Sequence, residues 1–207
     1  MKNGLYLILM LVLIASCGSI KNNGSKTFSV EDINIIMHAD STTPMRVFKI
    51  NKKRDSILLR TKSTYVKADP KDVVLQRFVK RLFATVRDSM SMGVGIAAPQ
   101  VGVLKNIIWV QRFDKEEAPF EVYLNPEIVS YSKQKQTYKE GCLSIPNRSE
   151  LLNNRSKVID IEYDTMDGEH KKETISDFTA VIFQHEIDHL NGILFLDHLE
   201  KEIDDAN

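Results

Sequence analysis

The chain has 207 residues, and its 28 basic and 28 acidic side chains cancel to a formal charge of zero. A hydrophobic share of 43% excludes a disordered or collagen-like chain, and the length fits one domain with a real core. No basic stripe interleaved with aromatics is present, so no nucleic-acid partner is expected and a monomer is the simplest state.

Met1-Lys2-Asn3 begins the chain with a positive charge, and Leu5 to Ile14 follow as an apolar stretch too short to span a bilayer comfortably. Ala15-Ser16 then supply the small residues of a cleavage site, so residues 1–16 read as a signal peptide. Ile14-Ala15-Ser16-Cys17 resembles the lipobox of bacterial lipoproteins, which implies a lipidated Cys17 as the new amino terminus. It further implies a lipid-anchored protein of the cell envelope, because two or more acyl chains hold a protein stably at a membrane. With Cys17 acylated, Cys142 has no disulfide partner in the chain.

Residues 17–44 form an amino-terminal extension, opening with the Gly-, Ser- and Asn-rich composition of a flexible tether at 18–26. The domain is expected from about residue 45. Val47, Phe48 and Ile50, and then Ile57-Leu58-Leu59, suggest extended segments either side of a polar turn at 51–55. Asp69-Pro70 predicts a helix start, and Val73, Val74, Phe78, Val79, Leu82, Phe83, Val86 and Met90 continue at helical spacing toward Gly93. Strands are predicted at Asn106 to Val110, Phe120 to Leu124, Ile128 to Tyr131 and Val158 to Tyr163. A second helix runs from a Ser176 or Asp177 cap to Asn191-Gly192, and residues 200–207 read as a solvated acidic tail. The fold class is α+β, two helices among mostly antiparallel strands.

That second helix carries Gln184-His185-Glu186-Ile187-Asp188-His189. Two histidines four apart project from one helical face and can reach a single cation, with Glu186 beside it as a proton carrier. Phe178, Val181 and Ile182 make the rest of that face apolar. The metzincin pattern needs a third histidine where Phe195 stands, and a gluzincin needs a downstream helix for which the acidic end leaves no room. The third ligand therefore comes from upstream, where Cys142 offers a thiolate, leaving a fourth position open for water.

Gly93-Val94-Gly95-Ile96-Ala97-Ala98-Pro99-Gln100, Glu140-Gly141-Cys142-Leu143-Ser144 and the histidine run are similar, in order and spacing, to the three motifs of peptide deformylases. The likeness spans residues 45–199. It implies antiparallel sheets surrounding a central helix that bears the two histidines, and hydrolysis of the N-formyl group of formyl-methionyl peptides to formate and a free amine. One divalent ion, Fe(II) or Zn(II), would be held by Cys142, His185 and His189. Glu186 would serve as general base and then general acid. The Gln100 side-chain amide and the Leu143 backbone N–H would stand beside the oxyanion, and Gly95 and Gly141 beside the substrate backbone. Val94, Phe178, Val181 and Ile182 would line a methionine pocket or simply belong to the core.

Three features depart from the family. The export signal removes the chain from the ribosome, the segment near Asn51 lacks the family's proline, and Arg148 lies near, without clearly matching, a family arginine. The sequence thus points to an envelope-anchored deformylase acting on free formylated peptides or other small N-formyl compounds outside the cytoplasm. An exported metallo-amidase or peptidase with a shifted substrate, and a non-catalytic peptide-binding lipoprotein, are the alternatives.

Overall fold

The computed structural model describes residues 27–206; the signal segment, Cys17 and the tether lie outside the described residues. Helix α1 (Val30–Met37) is capped by Ser29, whose side chain accepts from Asp32 N while Asp32 reaches back to the Ser29 N–H. Helix α2 (Lys53–Leu59) follows, then α3 (Val73–Val86), strands β1 (Gly95–Ala97), β2 (Ile107–Gln111) and β3 (Phe120–Tyr131). The hairpin of β4 (Lys135–Cys142) and β5 (Ile145–Ser156) comes next, then β6 (Val158–Asp164), β7 (His170–Ser176), α4 (Asp177–Leu190) and α5 (Phe195–Ala206).

The strands form a five-stranded sheet in the order β1-β2-β3-β6-β7 and a separate β4-β5 pair, all antiparallel. Helix α4 lies against the large sheet. Ala180, Ile182, Phe183, Ile187 and Leu190 from the helix bury with Ile108, Val110, Tyr123, Ile159, Ile161 and Ile175 from the strands. A second core joins α1 and α3, where Phe28, Ile36, Phe78 and Leu82 are buried, and Trp109 Nε1 donates to Val79 O at 2.9 Å. The expected α+β arrangement around a central histidine-bearing helix is found, with five helices among the described residues rather than two and with α1 of the amino-terminal extension packed into the α3 core.

Several local expectations change. Ile57-Leu58-Leu59 belong to α2 rather than to an extended segment, because Asp55 and Leu59, four apart, bury one helical face while Ile57 is exposed. Val47, Phe48 and Ile50 form no strand, and bond instead to single partners: Phe48 N to Gln100 O at 2.7 Å and Ile50 N to Ser144 O at 3.0 Å. Helix α3 starts three residues later than Asp69-Pro70 suggests, since Asp72 accepts from Val74 N and Leu75 N and is the cap. It also stops at Val86, leaving Met90 exposed.

The two segments predicted at 120–124 and 128–131 are one strand interrupted at Asn125, a positive-φ residue (51°) beside a register shift. Residues 200–206 belong to α5, which Leu196 and Leu199 pack against the core of Ile145, Leu152, Leu194 and Phe195; Glu202 accepts from Asn153 N, while Glu200, Lys201, Ile203, Asp204 and Asp205 are exposed. Helix α4 spans its expected range and ends at Gly192 (φ 74°), where a Cβ would lie 2.5 Å from Arg60 O.

Phe183 is fully buried between α4 and the sheet, with Tyr123 edge-on at 4.8 Å. Phe183→Ala is expected to lower stability by about 3–5 kcal/mol, read from the denaturant midpoint at unchanged slope.

Candidate active site

Strand β4 ends at Cys142 and helix α4 carries His185 and His189, so the three donors come from two elements that the fold presses together. One ligand atom from each lies within 4.8 Å of the other two, and Cys142 Sγ is 3.1 Å from His189 Nε2. Burial alone pushes the Cys142 thiol up, but the two imidazoles outweigh it and hold the thiol well below its ordinary range. Burial likewise lowers His185, while Cys142 and Glu140 together raise it well above its usual value. The site thus favours a thiolate, the form that ligates metal. Glu186 Oε2 and His189 Nδ1 are buried without a hydrogen-bond partner. A thiolate, two imidazoles and an orphaned carboxylate oxygen gathered in one place fit a divalent cation and leave little other physical reason for the cluster.

Around the ligands lies a buried ionic network. Arg155 on β5 grips Glu140 on β4 through two bonds of 2.6 and 2.9 Å and reaches Asp188 on α4 at 2.6 Å. Glu140 in turn lies 2.8 Å from His185 Nδ1, which directs the other ring nitrogen toward Cys142. Asp188 also meets His198 of α5 at 2.8 Å. Burial raises the Glu140 carboxyl, yet His185 and Arg155 overcome it and bring it to about 2.

Gln100 sits in a 3-10 turn (Ala98–Val101) directly after β1, and is 2% exposed. Its Oε1 accepts from Ala97 N at 2.8 Å, which fixes the amide and turns Nε2 toward Cys142 Sγ and Ser144 Oγ at 3.5 and 3.4 Å. Leu143 follows Cys142 at the tip of the β4-β5 hairpin, and its carbonyl accepts from the Lys49 ammonium. Lys49 N–H is held by Asp55, which also takes both terminal nitrogens of Arg46. Residues 48–50 therefore stitch the Gln100 turn to the hairpin tip.

A cleft of about 610 Å³ opens over this centre. Its lining contains Val94, Gly95, Gly141, Leu143, Phe178, Val181 and Ile182, together with Gln100, Cys142, His185 and Glu186. Every substrate-side residue expected from sequence is therefore at the cleft. Ile182 also belongs to the sheet core, and Val94 and Phe178 pack against it, so lining and core are not alternatives here. Gly95 has a further role: a Cβ there would stand 2.5 Å from Glu186 Oε1 and 2.8 Å from Ile182 Cγ2. Its missing side chain lets α4 bring Glu186 against β1. At Gly141 a Cβ would make only ordinary contacts with the protein. The carboxyl-terminal helix supplies no ligand, since Glu200 is exposed and Glu202 is held by Asn153.

The Polypeptide deformylase family model matches residues 45–204. The chain belongs to the peptide deformylase family. A peptide deformylase of Desulforudis audaxviator is 40% identical over 153 residues, covering 74% of this chain and 94% of that protein. One of Zymomonas mobilis is 38% identical over 149 residues, 69% of this chain and 81% of that one. Among solved structures, the class I type b peptide deformylase of Acinetobacter baumannii bound to Met-Ala-Ser has a TM-score of 0.66 at 32% identity, covering 76% of this chain and 99% of that chain. As a peptide deformylase the protein is a metallo-hydrolase that cleaves the formyl amide of peptides with one divalent ion, Fe(II) or Zn(II). A shifted amidase and a non-catalytic binder gain no support from these relatives.

Sequence reasoning passed over Arg155, Asp188, His198, Lys49 and Asp55. Asp188 sits inside the histidine motif and Glu140 inside the cysteine motif, but no local pattern links Arg155 to either.

Two outcomes are expected. Arg155→Met leaves Glu140 buried without its counter-ion, which is expected to cost about 3–5 kcal/mol of stability and to weaken zinc binding by about 10–100-fold in a chelator competition. Gly95→Ala forces Glu186 aside and is expected to lower turnover by roughly a hundredfold while zinc affinity is kept, measured on the same preparation.

Proposed function

We propose that this protein removes the formyl group from formyl-methionyl peptides at the bacterial cell envelope, held there as a monomer by a lipidated Cys17. Cys142, His185 and His189 would hold the ion. The observation that carries the reading is Glu186, a buried carboxylate with one unpartnered oxygen, placed at the floor of a peptide-sized cleft beside those three donors.

When bound, the ion supplies Lewis acidity that makes a water nucleophilic near neutral pH. The chain's own residues do the rest. Glu186 Oε2 takes the proton from the attacking water and returns it to the amine nitrogen as the C–N bond breaks. Burial raises the Glu186 carboxyl to about 7, against the pull of His185 and His189 in the other direction, which suits a group that must both take and release a proton. Gln100 Nε2, whose protein contacts are long, and the Leu143 N–H donate to the oxyanion; one such donor is worth about 10²–10³ in turnover. Val94, Phe178, Val181 and Ile182 enclose the methionine side chain, and Gly141 leaves room for the peptide backbone. The Met-Ala-Ser held by the Acinetobacter baumannii enzyme is a peptide of the kind this reaction releases.

Support for the location comes from Ile14-Ala15-Ser16-Cys17 behind its apolar stretch. Among the described residues no helix is long and apolar enough to cross a membrane, so the anchor rests on that amino-terminal segment.

Full-length protein in detergent, loaded with zinc, is expected to release formate from formyl-Met-Ala-Ser, and Glu186→Gln to lose at least a hundredfold in kcat with zinc still bound. A Glu186→Gln rate equal to that of the unchanged protein contradicts the reading. In cells, Cys17 is expected to take up labelled fatty acid and Cys17→Ala to lose the label. The rate should also fall as pH drops through about 7 or below, because a protonated Glu186 cannot accept the water's proton and a bound cation shifts that limb only downward.

A further inference from the structure

The cleft has two chemically different ends. Its floor carries the metal donors and the apolar wall, whereas its remaining charged lining consists of Lys49, Lys139 and Arg148. Lys49 comes from the segment that stitches the hairpin tip, Lys139 stands two residues before Gly141 on β4, and Arg148 lies on β5 beside Ser149, the partner of Gly141. Three separate pieces of chain thus bring a cation to one opening. Among the described residues, the carboxylates in the lining are Glu140 and Glu186, which are 5% and 4% exposed. Glu140 is already committed to Arg155 and His185, and Glu186 faces the floor. Outside the lining, Glu150 contacts Arg148 at 2.8 Å; the Lys49 ammonium donates to the Leu143 carbonyl, and neither it nor Lys139 has a carboxylate from the cleft wall. In a chain whose charges cancel overall, this is a local bias.

We infer that the cleft selects formyl peptides bearing a carboxylate within a few residues of the formyl group, the chemistry of short, released peptides with a free carboxyl terminus. The inference rests on the deformylase reading of the floor. A peptide seated with its methionine against the apolar wall extends roughly 10 Å over three residues, which brings the end of a tripeptide to the mouth of the cleft. There a terminal carboxylate meets Lys139 and Arg148 and competes with Glu150 for the guanidinium. A peptide still joined to a long chain presents no such group at that distance. An aspartate or glutamate side chain at the third position offers the same anion from a different source, and the amide-capped peptides below separate the two.

The test is kcat/KM of the zinc-loaded, full-length protein in detergent on formyl-Met-Ala-Ser, its carboxyl-terminal amide, and the amide of formyl-Met-Ala-Asp. At low salt the free acid is expected to exceed its amide by about 3–10-fold through KM, with the aspartyl amide between them, and the ratio to shrink toward one as salt screens the mouth. Lys139→Glu and Arg148→Glu are each expected to reduce or invert that ratio, which is read within one preparation and so does not depend on overall activity. Binding of Met-Ala-Ser against its amide, measured by calorimetry, should give the same order without turnover. Equal rates on acid and amide, or a ratio untouched by both variants, overturn the inference and leave the deformylase reading standing. No formate from any of the peptides overturns both.

Discussion

The buried ion pair between Arg155 and Glu140 is the constraint on which the centre depends. Two short bonds tie β5 to β4, a third from the same guanidinium reaches Asp188 on α4, and Glu140 continues to His185. One side chain therefore locks the strand that ends in Cys142 to the helix that carries both imidazoles. Charges this deep are costly to bury, and their mutual attraction repays that cost only because the carboxylate oxygens and guanidinium are so fully bonded. The network fixes a geometry rather than adding stability outright. Like the hydrogen-bonded carboxylates behind many metal-bound imidazoles, it orients the ring and raises its donor strength.

The rest of the fold serves that alignment. The apolar face of α4 against the five-stranded sheet sets the helix, and Gly95 lets Glu186 approach β1 without collision. On the opposite wall, Phe48 N, Lys49 Nζ and Ile50 N bond to Gln100, Leu143 and Ser144, which keeps the Gln100 turn and the hairpin tip in register with the thiolate. Asp55 holds that segment in place from α2. His185, Glu186 and His189 thus stand on the rigid helix α4, whereas Cys142 and Gln100 come from a strand end and a turn that the 48–50 segment holds in place.

Much of this was legible from periodicity and spacing. The cap residues Ser176-Asp177 and Asn191-Gly192 marked α4 to within a residue of each end, and the helical spacing of His185 and His189 pointed to one cation beside the upstream Cys142. The β4-β5 hairpin was not legible, because Lys135–Cys142 and Arg148–Asn154 are polar on most positions and form a pair outside the main sheet. Helix α2 was mistaken for an extended segment because Ile57-Leu58-Leu59 is a short apolar run with no period of its own, whereas a buried, Arg46-paired Asp55 sets its inner face. Arg155 was invisible for another reason. Its partners lie 15 and 33 residues away on other elements, and only tertiary contact reveals them.

The central claim is that Cys142 and the two histidines of α4 form one preorganised thiolate-imidazole metal site. Cobalt(II) titration of the metal-depleted, full-length protein in detergent tests it most directly. One equivalent should bind, with a thiolate-to-cobalt charge-transfer absorption that disappears in Cys142→Ser and weakens in affinity in Arg155→Met. Binding without that absorption, or an absorption unchanged by Cys142→Ser, contradicts the account.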